Sequence, residues 1–571
     1  MGSYTKKLAQ IALGREKAPF VLKNARIVQV FTNEIIEADI AISDGVIAGI
    51  GSYEGIKEID LKGKYVCPGF IDSHLHLEST LVNPGELILQ AGLKGTTTFI
   101  VDPHEAANVS GKAGIDFILN ETESSQANVY VMVPSCVPSG PFEDNGYSFN
   151  SKDMEAYKDN PRVLGLGEVM DCGAVISCEE QMMEKLALFR DKNIDGHAGF
   201  LNEKETNCYV LAGIQTDHEC CTFEDAMCEM RAGLQILVRE GTAAKNLENI
   251  IKGVVENHIP CHQLAFCTDD KHIEDIQQQG HISFNVKKAV SLGMDTIEAI
   301  KVASFYPAVR YGLSHLGAVA PGYQADLLVL SDLEQVKLEQ VYHKGIRITE
   351  KEIERHAVPE QLLKTVHIKM DRAEELKLPL SGNVARIIEV IPGEILTNEV
   401  IAEVAVKEGC FVADEVYQKI AVLERHHATG KKGIGIIKGL SIKNGAIAST
   451  VGHDSHNLIV VGDNDEDMYR AVMALAECGG GYAVVETGRE PAVLPLEIMG
   501  LISSKSHNEV KEQLAVMIAQ ARRMGVPEQV DPFITLSFCA LPVIPQLRIT
   551  TRGLYDVKKG CFVPVSVAET E

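Results

Sequence analysis

The sequence has no surplus of positive charge: 54 Lys and Arg stand against 79 Asp and Glu, a formal net charge of -25. That argues against a nucleic-acid partner, because binding a polyanion needs phosphate-neutralising cations. The acidity reads instead as solubility. No window approaches about 18 consecutive apolar residues, so nothing reads as a membrane span. The opening residues, Met1-Gly2-Ser3-Tyr4-Thr5-Lys6-Lys7, carry no long apolar run, and no export signal is expected there. The 14 cysteines form no Cys-x-x-Cys pattern and only one adjacent pair, Cys220-Cys221. A disulfide scaffold is therefore excluded, and reduced thiols in a cytoplasmic protein are expected. Tryptophan is absent too, which by itself excludes nothing.

What is present is length and alternation. The 571 residues are too many for one core, so two to four domains are expected. Residues 1 to about 18 read as a short helical lead-in. Val21–Val30 and Ile35–Ile42 read as strands, with Gly45 and Gly51 punctuating later turns. From Lys64 to about Leu313, strands alternate with helical segments such as Glu179–Arg190 and Phe223–Ala232. Eight such units in roughly 250 residues predict a (β/α)₈ barrel. The turn Ala320-Pro321-Gly322-Tyr323 then feeds a strand, Leu327–Leu330, assigned to the same small β-domain as the N-terminal strands. Ile346 to about Leu380 reads as charged, mostly helical or linker, and a further α/β or α+β domain follows. The expected division is 1–65 and 316–380 for the split β-domain with its linker, 66–315 for the barrel, and 381–571 for the C-terminal domain.

The chemistry gathers where barrel strands end. The run Cys67-Pro68-Gly69-Phe70-Ile71-Asp72-Ser73-His74-Leu75-His76 starts apolar and ends in two histidines. On a strand, residues i and i+2 share a face, so His74 and His76 converge as half of a divalent metal site. Two partly exposed loop histidines is the plain alternative. Later strand ends carry Glu168, His197, His218 and Asp269. Each alone has a structural explanation, such as a turn, an ion pair or a helix cap. Together the six, from five strands, suit two divalent metals sharing a bridging carboxylate. In a barrel, catalytic groups sit at this C-terminal face.

The His-x-His strand, the later His, His and Asp strand ends, and the Ala320-Pro321-Gly322-Tyr323-Gln324-Ala325-Asp326 return resemble the amidohydrolase superfamily. More closely, Asp72–Thr80, Val101–Val109, Gly167–Met170, Asp195–Ala198, Thr216–Glu219, Cys267–Asp270 and Gly452–Asn457 resemble the bacterial-type adenine deaminase family, over essentially the whole chain. The resemblance implies a metal-dependent (β/α)₈ barrel and hydrolysis of adenine to hypoxanthine and ammonia by a metal-activated hydroxide, a purine-salvage activity. It implies two divalent ions, Mn²⁺ foremost, with Fe²⁺ or Zn²⁺ as alternatives. His74, His76 and Asp269 would hold one ion, His197 and His218 the other, with Glu168 between them. Asp269 and Glu168 would be the catalytic groups.

His104, Glu219 and Asp270 are the expected substrate-binding residues. Mononuclear adenosine-type deaminases carry His-Ala-Gly-Glu, whose Glu protonates the purine ring. Here the stretch is His197-Ala198-Gly199-Phe200, so that acid must come from elsewhere, with Glu219, Asp270 and Glu78 as candidates. Asp270 is expected on the side opposite Asp269 if the eighth strand continues. His453 and His456 are expected either at the barrel mouth, as a lid or substrate contact, or in a surface turn. Competing readings are another amidohydrolase reaction, such as cyclic amide hydrolysis or N-deacetylation, and a non-catalytic scaffold, which would be expected to lose metal ligands. The expected partners are the small molecule adenine and further copies of the chain in a homo-oligomer.

Overall fold

A computed structural model describes residues 5–199, 201–242, 244–350, 353 and 355–567. Phe200, used above to separate this chain from the adenosine-type deaminases, lies outside the described residues. So do residues 1–4 of the opening segment, whose described part forms a helix, Lys6–Ala12, capped by the Thr5 side chain. Among the described residues no helix is long and apolar enough to cross a membrane.

The first sheet joins two distant parts of the chain. Strand Tyr65–Pro68 lies between Ala18–Gln29, which it pairs in parallel, and Leu327–Asp332, which it pairs antiparallel with Val66 opposite Val329. The segments before and after the barrel thus share one core, with Ile27, Ile40, Val66, Leu327 and Val329 buried together.

The run from Tyr65 to His76 is two strands, not one. The chain breaks at Gly69, and Phe70–Leu75 starts the barrel. Glycine is required at that corner, since a Cβ there would lie 2.1 Å from Thr97 Oγ1.

Eight parallel strands follow in chain order. Phe70–Leu75, Thr96–Val101, Asn128–Val133, Val163–Val169 and Asn193–Gly196 form one ladder, and Thr216–Asp217, Gln235–Arg239 and Leu264–Cys267 another. The ladders meet on both sides. Gln215 N–H donates to Ile194 C=O at 2.9 Å, and Asp269 N–H donates to His74 C=O at 3.0 Å. The barrel expectation is met, with the sixth strand shorter than the sequence pattern suggested. Strands such as Thr96–Val101 are buried throughout, as parallel strands covered by helices are.

Among the described residues of 346–380, Ile346–Arg347 closes a strand pair, and the helical pieces are one short helix, Glu360–Leu363, and a 3₁₀ turn, Ala373–Leu376. Of the two expectations for this segment, helix or linker, the described residues fit the linker. Beyond it an eight-stranded, largely antiparallel sheet runs from Val384 to Pro495. Helix Asp465–Cys478 packs on it, with Asn464 as N-cap, three acidic residues in its first turn and Gly479 at its C-terminus, as the helix dipole favours. Its apolar face, including Met468, Val472 and Leu475, is buried against Ala446, Ala448 and Val460.

Candidate active site

Three site histidines follow an aspartate two residues earlier, in Asp72-Ser73-His74, Asp102-Pro103-His104 and Asp195-Gly196-His197, and His218 directly follows Asp217. The buried aspartates hold backbone rather than facing the cavity. Asp72 accepts from Thr268 Oγ1 at 2.5 Å, Thr268 N–H at 3.1 Å and His74 N–H at 3.3 Å. This locks the first strand to the eighth. Burial pushes the Asp72 carboxyl up to about 7 despite these bonds. Asp102 accepts from Glu168 N–H at 2.8 Å, and a Cβ at Gly167 would lie 2.1 Å from the same carboxylate. Asp217 accepts from Glu219 and Cys220 N–H at 2.8 and 2.9 Å, fixing the loop that carries His218.

The six expected ligands come together. Glu168 is the focus: His197 Nδ1 lies 2.8 Å from it, His218 Nε2 3.2 Å, His76 Nε2 3.4 Å and His74 Nε2 4.0 Å. Asp269 Oδ1 sits 3.2 Å from His76 and 3.9 Å from His74. His74 and His76 therefore do share one side. Burial works against charge on Glu168, but hydrogen bonds with His104, His197 and His218 hold its carboxyl well below the usual range. Asp269 is held low in the same way, against burial, by His76 and Arg239. Both carboxylates are thus ionised.

The donor set fits divalent metal ions. His76 Nδ1 is 2.8 Å from the Asp102 carbonyl oxygen. A carbonyl only accepts, so Nδ1 carries the proton and the Nε2 lone pair faces Glu168 and Asp269, as metal-binding imidazoles are arranged. His74 Nε2 is buried without a hydrogen-bond partner. Burial first, and then the neighbouring His218, lower the His74 pKa well below its ordinary value, keeping the ring neutral for ligation. Ligand atoms of His74, His76 and Asp269 lie within 4.8 Å of one another, as do those of His74, Glu168 and His218.

The three expected substrate residues line the same cavity. His104 opens the helix after the second strand, with Nδ1 3.2 Å from Glu168. Glu219 pairs with Arg239. Asp270 is on the cavity side and not opposite Asp269. The eighth strand ends at Cys267, and Asp269 takes a φ of +57°, so strand alternation does not carry past it. Glu78 is not in the cavity wall; its Oε1 accepts from Ala106 N–H at 2.9 Å.

The His453–His456 segment reaches the barrel mouth. His453 Nδ1 lies 3.2 Å from Glu105, and Asp454 lies 3.5 Å from His104 Nε2. Phe538 stacks on His453 at 5.0 Å, and Ile395, Leu541, Val543 and Ile544 complete an apolar roof.

Arg239, Glu105, Asp454 and Phe538 were not singled out from sequence. Arg239 ends the seventh strand, so the strand-end rule that found Glu168 would have reached it. Nothing local marks Phe538.

Residues 65–348 match the amidohydrolase family, and residues 394–561 match the adenine deaminase C-terminal domain. An adenine deaminase of Desulfitobacterium hafniense is 51% identical over 559 residues, covering 98% of both chains. Adenine deaminase 2 of Carboxydothermus hydrogenoformans is 43% identical, covering 98% of this chain and 99% of that one. An adenine deaminase of Clostridium acetobutylicum is 44% identical, covering 97% and 98%. With identity this high over nearly its full length, the chain belongs to the adenine deaminase family of the amidohydrolases.

Proposed function

We propose that this chain hydrolyses adenine to hypoxanthine and ammonia. The observation that carries the reading is its near-full-length identity to curated adenine deaminases; a buried His–carboxylate cluster at the C-terminal face of a barrel supports it. Membership of the amidohydrolase family implies a divalent metal. The residues suit two ions, with Mn²⁺ the first choice. His74, His76 and Asp269 would hold one, His197 and His218 the other, and Glu168 both. Such ions supply Lewis acidity that acidifies water near neutral pH.

The chain's own groups account for the rest. Asp269, ionised and held by Arg239, accepts a proton from the attacking water and passes it to the departing nitrogen. Arg239 also pairs with Glu219. The roof from Ile395, Phe538, Leu541, Val543 and Ile544 excludes bulk water and offers apolar surface to a flat heterocycle. The 14 cysteines are all free, which supports a cytoplasmic enzyme of purine salvage.

The test is ammonia release from adenine and from adenosine by Mn²⁺-loaded protein. Adenine is expected to be turned over and adenosine hardly at all. Comparable kcat/KM for the two, or no release from adenine, would refute the reading.

A further inference from the structure

The adenine reading leaves one group unassigned. Water adds to the ring carbon bearing the amino group, and a ring nitrogen must gain a proton as it does so. The three carboxyl candidates fare poorly. Glu78 is outside the cavity wall and committed to Ala106 N–H. Glu219 is committed to the Arg239 guanidinium. Asp270 accepts from Ser79 Oγ, and its outer neighbour is His453, 3.9 Å away.

Two wall histidines stand outside the expected ligand set: His104, whose Nδ1 lies 3.2 Å from Glu168 and Nε2 3.5 Å from Asp454, and a histidine from the other domain. His453 lies with Nδ1 3.2 Å from Glu105 Oε1 and Nε2 3.9 Å from Asp270 Oδ2. Ser79 Oγ ties those two carboxylates together, bonding Asp270 and lying 3.2 Å from Glu105. The imidazole is thus bracketed by acids on both nitrogens, 7% exposed, with Phe538 stacked on its face.

The cluster Glu105, His453 and His456 brings its ligand atoms within 4.8 Å, which raises a third metal as an alternative. The tautomer of His456 argues against it. Gly452 N–H donates to His456 Nδ1 at 3.2 Å, so the neutral ring carries its proton on Nε2, which faces Glu105 Oε2 at 4.0 Å. A nitrogen bearing a proton is no ligand.

We propose that His453, carried by the C-terminal domain into the barrel mouth, is the acid that protonates the purine ring. The inference rests on the adenine reading. The imidazolium gives its Nε2 proton to the ring nitrogen while the water oxygen bonds to the amino-bearing carbon and Asp269 takes a water proton. The carbon–nitrogen bond then breaks, and ammonia leaves with the proton from Asp269. The hydroxyl proton left on the ring carbon's oxygen returns to His453, giving the oxo product and restoring the imidazolium.

The charged or titratable groups facing His453 are Glu105 from the helix after the second strand, Asp270 from the eighth strand end, and Asp454 and His456 on its own segment. Burial disfavours the imidazolium, but Asp270 and Glu105 outweigh it and raise the His453 pKa to about 9.

The test is kcat/KM for adenine from neutral to alkaline pH on Mn²⁺-loaded wild type, His453→Gln and Glu105→Gln, with metal content measured on each. Wild type is expected to lose rate as pH rises through about 9, because the acid must be protonated. His453→Gln should fall by about 10²–10⁴-fold, the usual worth of a positioned acid, and lose that alkaline limb while keeping its metal. Glu105→Gln should move the limb to lower pH, which a purely structural role would not do. If His453→Gln fails to fold, the Glu105→Gln limb decides. An active wild type with His453→Gln near normal, or a limb unmoved in Glu105→Gln, overturns the inference. A wild type inactive on adenine overturns the adenine reading itself.

Discussion

Arg239 donates to Asp269 Oδ2 at 3.0 Å, while the other oxygen of Asp269 faces the histidines of the first strand. The aspartate is thereby shared between a fixed cation and the histidine cluster. Arg239 itself is buried, with Glu219 as its second partner. Arg239→Met should leave two carboxylates without their cation. Removing one partner of a buried pair typically costs about 3–5 kcal/mol. Urea unfolding should register a loss of that order, and kcat should fall more than KM rises. A variant as stable and active as wild type would show that Asp269 is held by other groups.

Asp269→Asn should reduce kcat by about 10²–10⁴-fold, since the amide cannot accept a proton. KM should move less, because the purine is held elsewhere. Asp270→Asn should be the milder change, although Asp270 shares the cavity. Steady-state kinetics with metal analysis on both variants separates them. An inactive Asp270 variant beside an active Asp269 variant would reassign the shuttle.

Glu168→Gln should lower metal occupancy together with rate. A neutral amide is a weaker bridge between cations than a carboxylate, and the five imidazoles around Glu168 would lose their common carboxylate. Elemental analysis after dialysis against a mild chelator is the readout. Two retained ions and near-normal turnover would remove Glu168 from the centre.

The barrel and the C-terminal domain are also joined by Asp144, which takes Lys431, Thr551 and Arg552 as partners. Burial works against its charge, but Arg552 and Lys431 pull its pKa from 3.8 down to about 2. A group depressed on folding binds fewer protons in the native state. Its contribution is present above about 3.8 and is lost as pH falls to about 2. Asp144→Asn should therefore lower the melting temperature at neutral pH and show less additional loss across that acid window. A wild-type and variant difference that stays constant through the window would deny Asp144 this role.

The sequence alone determined the barrel and the His–carboxylate cluster at its strand ends. Periodicity is local, and a strand's end is where its apolar run stops, so His74, His76, Glu168, His197, His218 and Asp269 were legible one strand at a time. The i, i+2 rule placed His74 and His76 on one side because Phe70–Leu75 is a true strand almost up to His76. The same rule misplaced Asp270 because the chain turns through a positive φ at Asp269, a backbone choice that no pattern of side chains announces. Tyr65–Pro68 was read into the barrel because its apolar residues serve a different sheet, and the boundary is a single glycine. Only the tertiary structure brought Glu105, His453 and Phe538 together. Glu105 stands hundreds of residues from the other two, and what joins them is the docking of one domain's loop onto another's helix start, which depends on the summed shape of two finished cores.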